Sequence, residues 1–233
     1  MQIGVTDEEP VCEIDLSVIN SADANGNFID DVYGGYLGPD KVHIARNEEI
    51  DDYKKNVYKK VPVDLCWQIT GAKPISTRWV DVKKGDANSP EYRSRWVARD
   101  IRKHWEMAWF ASTPPLEVLK WLMARCVEKR VSKNGKRLKL LFIDIKKAHL
   151  TVPASRRLFV ELPEGDKEEG MCAELLTSMY GMRDAAFNWE NAYAATYKEG
   201  GYEQGVACSC IFHNESVNSF SMVHGDDNDC SRR

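Results

Sequence analysis

Near its carboxyl end the sequence reads Phe220-Ser221-Met222-Val223-His224-Gly225-Asp226-Asp227. The apolar run from Phe220 to Val223 is typical of a strand, and Gly225 permits a tight turn directly after it. Adjacent carboxylates repel each other, so such a pair at a strand end is costly unless a cation offsets the repulsion. The pair therefore indicates a cation site, although an Asp-Asp pair is also common in ordinary acidic turns.

A second strand-like run, Leu140-Leu141-Phe142-Ile143, also ends in a carboxylate, that of Asp144. If the two strands lie side by side, Asp144, Asp226 and Asp227 form an all-oxygen site with three carboxylates. Mg²⁺ prefers oxygen ligands, and a pair of such ions supports phosphoryl transfer. We therefore expect these three residues to hold metal ions.

Length and composition exclude several classes of protein. The 233 residues are 43% hydrophobic, which suffices for one large domain or two small ones with a real core. The sequence contains no run of 18 apolar residues and no signal peptide at its start. Its seven cysteines are scattered and odd in number, which favours free thiols in a reducing compartment. We expect an intracellular protein, cytoplasmic or nuclear, that is neither secreted nor in a membrane.

The charge is strongly segregated along the chain. Residues 1–72 contain 6 Lys/Arg and 14 Asp/Glu (net −8), residues 73–147 contain 19 and 8 (net +11), and residues 148–233 contain 7 and 14 (net −7). A basic block of this size is typical of a protein that binds nucleic acid or polyphosphate. For the part from Lys129 to Lys139, a solvated helix surface explains the charge equally well.

The hydrophobic pattern predicts a mixed, mostly antiparallel α+β fold. We expect an irregular acidic lead-in over residues 1–45, a short charged helix over 46–56, and helices from Pro114-Pro115 to about Val131 and from Asp184 to Lys198. Strands are predicted over 57–65, 77–82, 92–98, 138–145, 158–162, 211–212 and 220–223, with a further mixed segment at 172–180. Residues 77–98 read as one hairpin.

Six segments together resemble copia-type LTR-retrotransposon reverse transcriptases, over roughly residues 57–229. Each segment is weak alone, but their shared order and spacing are specific. They are Trp79-Val80-Asp81-Val82-Lys83-Lys84-Gly85-Asp86 with Tyr92-Arg93-Ser94-Arg95-Trp96-Val97-Ala98-Arg99, Phe110-Ala111-Ser112-Thr113-Pro114-Pro115-Leu116, Phe142-Ile143-Asp144-Ile145-Lys146-Lys147-Ala148-His149-Leu150, Leu158-Phe159-Val160-Glu161-Leu162-Pro163-Glu164-Gly165, Ser178-Met179-Tyr180-Gly181-Met182-Arg183-Asp184-Ala185-Ala186-Phe187-Asn188-Trp189, and Val223-His224-Gly225-Asp226-Asp227.

The resemblance implies the fingers and palm of a right-hand polymerase, with an antiparallel palm sheet packed on helices. Residues 46–135 correspond to the fingers and 136–233 to the palm. A thumb and an RNase H domain follow in the family and lie outside this sequence, so we expect a fragment of a longer polyprotein. The implied partners are an RNA or DNA template-primer and deoxynucleoside triphosphates.

The resemblance also implies roles for the acidic residues. Asp144 and Asp226 would bridge two Mg²⁺ ions, with Mn²⁺ as a possible substitute, and Asp227 would support them. The backbone carbonyl of Ile145 would be a further ligand. This assignment agrees with the general chemistry of phosphoryl transfer, in which the protein positions groups and stabilises charge.

Basic residues of the predicted hairpin are candidates for the triphosphate. Arg93, Arg95 and Arg99 are separated by even numbers of residues, so on a strand their side chains share a face. A guanidinium grips phosphate oxygens through two donors, and Arg95 is the first candidate, with Lys83 or Lys84 as helpers. The alternative is a hairpin whose basic face simply meets solvent.

The remaining nucleotide-binding candidates follow from the resemblance. Tyr180 and Gly181 would line the base and sugar, and glycine allows a close approach, although Tyr180 also fits an ordinary core aromatic. Ala148 and His149 occupy the positions where relatives have alanine and an aromatic residue that screens the sugar 2′ position.

Several positions depart from the family pattern. Asp184 and Ala186 stand where relatives have glutamine and proline, and Asn228-Asp229 stand where an apolar strand is expected. Two rival interpretations therefore remain, a nucleic-acid-binding fragment without catalysis and a relic without function. Cys208-Ser209-Cys210 lacks a second pair of ligands for zinc, so buried thiols are the expected reading there.

Overall fold

The described part of the chain folds into four sheets, each with antiparallel strand pairs, and four α-helices. The structure is a computed structural model. It describes residues 27–86, 88–101, 109–128, 135, 137–225 and 227–232, the last range as backbone alone. Within these residues no helix is both long enough and apolar enough to cross a membrane.

The helices are 8 to 18 residues long, whereas the strands have between 2 and 9 residues. The helices are α1 (Pro39–Asn56), α2 (Val63–Thr70), α3 (Leu116–Val127) and α4 (Ala185–Glu199). The strands are β1 (Phe28–Ile29), β2 (Tyr36–Leu37), β3 (Tyr58–Pro62), β4 (Thr77–Gly85), β5 (Pro90–Ala98), β6 (Lys139–Asp144), β7 (Phe159–Val160), β8 (Met171–Leu175), β9 (Glu203–Gln204), β10 (Ile211–Asn214), β11 (Ser219–His224) and β12 (Asp227–Arg232).

Residues 27–45 form a hairpin and the first part of a helix, which corrects the expectation of an irregular lead-in up to residue 45. The carboxylate of Asp30 accepts the backbone N–H groups of Val32 (2.9 Å) and Tyr33 (2.8 Å) and so closes the β1–β2 turn. Pro39 then suits the first position of α1, where a missing N–H is harmless. A small core stabilises the unit, formed by Phe28, Leu37 and Val42. Residues 1–26 lie outside the described residues.

The predicted hairpin over residues 77–98 is confirmed as β4 and β5, which pair from Thr77 with Ala98 to Gly85 with Pro90. Its buried face contains Trp79, Asp81 and Trp96, which alternate with half-exposed residues. Alternation of this kind fixes which residues share a face, because successive side chains on a strand point in opposite directions.

A three-stranded sheet joins early and late parts of the chain in the order β3-β8-β7. The strand expected over 57–65 ends at Pro62, because residues 63–70 form α2 instead. Behind this sheet lies the main core, which contains Tyr53, Trp96 and Met179. The sheet and its core therefore cross the expected boundary between fingers and palm at residue 135.

The second large sheet has the order β6-β12-β11-β10-β9. Helix α4 packs on it through Trp189 and Tyr193, which meet Phe212 and Val223 from the strands. Despite its polar sequence, Asn228-Asp229 lies within strand β12, because pairing on both sides satisfies its backbone groups. The helix expected up to Val131 ends at Val127, and residues 129–134 lie outside the described residues.

Candidate active site

The register of the large sheet brings two of the predicted metal ligands together. In the antiparallel pair of β6 and β12, Asp227 lies directly opposite Asp144. The Cα atoms of such pairs are about 4.5–5.5 Å apart. Asp144 ends its strand with an exposed side chain. Asp226 lies outside the described residues, and the description of Asp227 is limited to its backbone.

The turn before the aspartates is tightly held. His224 pairs with Asp227, so β11 and β12 are joined by a two-residue loop that begins at Gly225. Gly225 has a φ of +65°, and both favoured turns of this length require a positive φ at that position. The indole Nε1 of Trp189 on α4 donates to the Gly225 carbonyl at 2.6 Å. Through this hydrogen bond, helix α4 restrains the position of the turn relative to the sheet.

Beside Asp144 lies a cavity of about 670 Å³. The β4–β5 hairpin forms one side of its wall with three basic residues, Lys84, Arg93 and Arg95, and with the acidic residue Glu91. The three share one face of the hairpin, since Lys84 pairs with Glu91 two residues before Arg93. Its other side is formed by helix α1 and by the segment that follows β6, with Glu48, Glu49, Asp52, Ile145, Lys146 and Lys147.

Lys83 occupies a different place from its neighbour. It pairs with Tyr92 on the opposite face of the hairpin, and its backbone N–H donates to Asp30 at 2.7 Å. Lys83 lines a separate cavity beside the β1–β2 hairpin, which Lys84 also borders, but it does not line the cavity beside Asp144. Of the two lysines predicted as helpers, Lys84 is therefore the one that the structure brings together with Arg93 and Arg95.

Arg95 connects the cavity with the aromatic residues predicted to bind the nucleotide. Its guanidinium carbon lies 5.2 Å from the centroid of the Tyr180 ring, within range of a cation–π interaction. The ring of His149 meets Tyr180 edge-on, with centroids 5.4 Å apart. The Nε atom of Arg95 is buried and has no hydrogen-bond partner in the described part of the chain. Buried donors in proteins are usually hydrogen-bonded, so within the described residues this N–H group lacks the partner that burial normally requires.

Gly181 holds the Tyr180 segment against the end of β5. The backbone N–H of Ala98 donates to the Tyr180 carbonyl at 2.9 Å, and that of Asp100 donates to the Gly181 carbonyl at 3.3 Å. With φ at +84°, a Cβ on Gly181 would lie 2.0 Å from the Ala98 oxygen. The close approach at Gly181 is thus to the protein's own backbone.

Ala148 has a packing role in the structure. Its side chain is fully buried in the cluster that joins α4 to the large sheet. It begins a short 3₁₀ turn, Ala148–Thr151, which follows Lys147 in the left-handed conformation with φ at +53°. The turn carries half-buried His149 to the edge of Tyr180.

The family model described as reverse transcriptase (RNA-dependent DNA polymerase) matches residues 56–223. The match includes the β4–β5 hairpin, Asp144 and the Tyr180 segment, and it ends directly before His224. The chain belongs to the reverse transcriptase family. Membership implies binding of a template-primer and of deoxynucleoside triphosphates, and members typically use divalent metal ions. A search of curated proteins found no match.

In this member of the family Lys147 makes two ion pairs with helix α1. Its ammonium nitrogen lies 2.6 Å from Glu49 Oε2 and 2.9 Å from Asp52 Oδ2. Burial alone would lower the pKa of Lys147, but the two carboxylates outweigh it and the pKa is raised. The hydrogen bonds from Lys147 and Lys55 lower the pKa of Asp52 to about 2. Lys147 and Asp52 are therefore both charged at neutral pH.

A second ionic cluster explains one departure from the family pattern. Asp184, where relatives have glutamine, is fully buried and accepts from Arg156 and from the Ser155 hydroxyl (2.8 Å). Burial would raise the pKa of Asp184, but these hydrogen bonds reverse the effect and lower it. Arg156 also pairs with Asp100, which in turn accepts from Arg183. The cluster ties the end of β5 to the start of α4.

Ala186 lies in the first turn of α4, where proline and alanine are both accommodated.

Sequence reasoning missed the functional neighbours that helix α1 and this cluster supply. Glu49 and Asp52 belong to a charged helix, and Arg156 to a basic pair before a strand, so neither pattern signals a partner. The only sequence signal was that Glu49, a charged residue, lies on the same helix face as Arg46, Ile50 and Tyr53. Counted from Arg46, the other residues follow after three (Glu49), four (Ile50) and seven (Tyr53) positions. The structure shows that this whole face is buried.

No thiol–metal centre is found in the described residues. The Sγ atoms of Cys208 and Cys210 lie 3.1 Å apart, and both are free thiols. Burial, followed by the neighbouring Cys208 thiol, raises the pKa of Cys210 to about 12, so it stays protonated. Among the side chains that the structure describes, which do not include those of 226–232, no three or more metal-ligating residues are clustered.

Proposed function

We propose that this chain is the fingers and palm portion of a copia-type reverse transcriptase that adds deoxynucleotides to a primer by two-metal phosphoryl transfer. The observation that carries the proposal is the register of β6 and β12, which sets the backbone of Asp227 opposite Asp144, beside a cavity lined by Lys84, Arg93 and Arg95. A template-primer, dNTPs and an intracellular location, cytoplasmic or nuclear, belong to the same proposal. Free thiols support that location.

The donor set fits divalent metal ions. Asp144, Asp226 and Asp227 with the Ile145 carbonyl offer only oxygen ligands, which Mg²⁺ and Mn²⁺ prefer. Asp144 is exposed at the cavity, and the backbone of Asp227 is its direct neighbour. When bound, two such ions would lower the pKa of the attacking hydroxyl and offset charge on the phosphates. The role of the protein would then be to hold its carboxylates at a fixed separation. The pairing of Asp144 with the backbone of Asp227 and the hydrogen bond from Trp189 to Gly225 support this role.

The hairpin supplies the groups for the triphosphate. Lys84, Arg93 and Arg95 place three positive charges beside Glu91 on one face, opposite the segment that carries Asp144. Arginine binds phosphate oxygens through two parallel N–H donors. The buried Nε–H group of Arg95 has no hydrogen-bond partner in the described part of the chain and is one such donor. Tyr180, with its neighbour Gly181, and His149 form the adjoining aromatic corner, where a sugar and base would lie.

A second candidate function is binding of nucleic acid without catalysis. It is favoured by the concentration of charge, since residues 73–147 carry a net +11 and several of these cations border one cavity. Phosphate contacts alone give salt-dependent affinity and require no metal site.

Primer extension on a homopolymeric RNA template with Mg²⁺ or Mn²⁺ distinguishes the two functions. We expect incorporation by the wild type, and a loss of at least about 100-fold in Asp144→Asn and Asp226→Asn, because a metal ligand contributes several kcal/mol to the transition state. Asp64→Asn, an exposed change on α2, is the matched control and should retain activity. Salt-dependent binding of template without incorporation, equal in all four proteins, would refute catalysis and support the binding function.

A further inference from the structure

Helix α1 contacts both halves of the candidate site, yet all of it except Asn56 precedes the residues matched by the family model. We propose that α1 is a brace that sets the position of the Asp144 segment relative to the β4–β5 hairpin. In this arrangement Glu49 and Asp52 are positioning residues that act through Lys147. The inference rests on the proposed function of Asp144 as a metal ligand.

The first end of the brace is anchored in the hairpin. Arg46 Nη2 lies 2.5 Å from Asp81 Oδ2, and both side chains are buried. The Ser94 hydroxyl donates to the same carboxylate at 2.7 Å, which connects β5 as well as β4. Two turns further along α1, the Tyr53 hydroxyl donates to the Trp96 carbonyl at 3.2 Å. A protein is strongly destabilised when a buried ion pair is broken and one charge is left without its partner. We therefore expect α1 and the hairpin to move as one unit.

The second end of the brace is the ion pair of Lys147 with Glu49 and Asp52. Lys147 follows Asp144 by three residues, so its ammonium group restrains the short segment that carries the carboxylate. The Lys147 carbonyl also accepts the N–H of Leu150 at 2.9 Å, which starts the 3₁₀ turn that positions His149.

The backbone of Lys147 indicates that this restraint has a cost. A residue with a side chain at φ +53° is strained relative to an ordinary conformation, and such residues persist where the surroundings determine them. The two carboxylates of α1 supply that determination, because they draw the side chain toward the helix. Removal of the carboxylates should therefore loosen the segment from residue 144 onward.

Lys147 also borders the cavity, so a direct role on the triphosphate is the competing explanation. Its ammonium group has three donor hydrogens, and Glu49 and Asp52 accept two of them. Glu49 is nearly buried, with 8% of its side chain exposed, while Asp52 is 51% exposed. A nucleotide would have to displace these partners, whereas positioning requires that they stay.

Four proteins test the brace against wild type: Glu49→Gln/Asp52→Asn, Lys147→Met, the combination of these three substitutions, and the control Lys55→Met. Lys55 is the exposed second partner of Asp52 at 2.9 Å, so the control removes a lysine from the same carboxylate without touching the segment. The readouts are amide hydrogen exchange over residues 144–151, binding of Tb³⁺ by luminescence, and the kcat and KM for dNTP in primer extension.

For Glu49→Gln/Asp52→Asn and Lys147→Met we expect hydrogen exchange over 144–151 to quicken about 10-fold. Tb³⁺ affinity should fall about 10-fold, as is usual when support for a metal ligand is lost. The kcat should fall by about 10- to 100-fold because misplacement of reacting groups is costly, with KM for dNTP within about 2-fold. Combining all three substitutions should add little to Lys147→Met alone, and Lys55→Met should match the wild type.

Two results would overturn the brace. One is unchanged hydrogen exchange in both variants, whether or not the wild type is active. The other is a raised KM for dNTP in Lys147→Met with unchanged Tb³⁺ affinity and exchange, which would assign Lys147 to the triphosphate. A wild type that neither binds Tb³⁺ nor extends a primer would instead contradict the proposed function, and hydrogen exchange would still decide the brace.

Discussion

Replacement of Gly181 by alanine tests how the Tyr180 segment is held against the hairpin. The backbone of Gly181 has φ at +84°, which costs an alanine about 1–2 kcal/mol. The added Cβ would also lie 2.0 Å from the Ala98 oxygen, so the two segments must separate by more than about 1 Å to restore an ordinary contact. That shift breaks the hydrogen bonds from Ala98 and Asp100, each contributing about 1 kcal/mol.

The expected loss for Gly181→Ala is therefore about 3–4 kcal/mol in the free energy of unfolding. Gly71→Ala is the matched control, since Gly71 has φ at +65° and nothing lies within 4 Å of the position that the alanine methyl group would occupy. That control should lose only the conformational part, about 1–2 kcal/mol. Urea unfolding followed by tryptophan fluorescence measures both values. Equal losses, within about 0.5 kcal/mol, would refute the argument that Gly181 is required by close contact.

Two further predictions concern ion pairs of helix α1. Arg46→Met leaves the Asp81 carboxylate buried without its partner, with 1% exposure. The free energy of unfolding in urea should fall by about 3–5 kcal/mol, and Arg46→Met/Asp81→Asn should recover part of it. A loss below about 1 kcal/mol would contradict this. The pKa of Asp52 is lowered from 3.8 to about 2 by Lys147 and Lys55, so its contribution to stability is present above about pH 4 and is lost as the pH falls toward 2. Asp52→Asn should accordingly flatten the decline of Tm across that interval, and a decline parallel to the wild type would argue against the pairing.

The hairpin shows where sequence reasoning works. Alternation along residues 77–98 predicted two paired strands, and β4 and β5 pair over that range, because period-two alternation is a local property of a half-buried strand. The separation of Arg93 and Arg95 by two residues likewise predicted a shared face, and both line the same cavity. The choice between Lys83 and Lys84 was beyond the sequence, since it depended on which face of the hairpin meets α1 and β6.

The lead-in and strand β12 show where it fails. Residues 27–38 have the glycines and acidic residues typical of irregular chain, yet Asp30 turns them into a hairpin packed on α1. Asn228-Asp229 lacks an apolar pattern, yet its strand lies between β11 and β6. In both cases backbone pairing with distant segments outweighs local propensity.

The amino-acid order alone determined the class of fold, the hairpin, the family, and the acidic and basic residue types available for chemistry, because each of these depends on local spacing or on a run of motifs. Only the tertiary structure decided that Lys84 rather than Lys83 joins the arginines, that Asp227 pairs with Asp144, and that Glu49 and Asp52 hold Lys147. The last two contacts join residues 83 to 98 positions apart in the chain. Their existence depends on how sheets and helices pack, which no local pattern encodes.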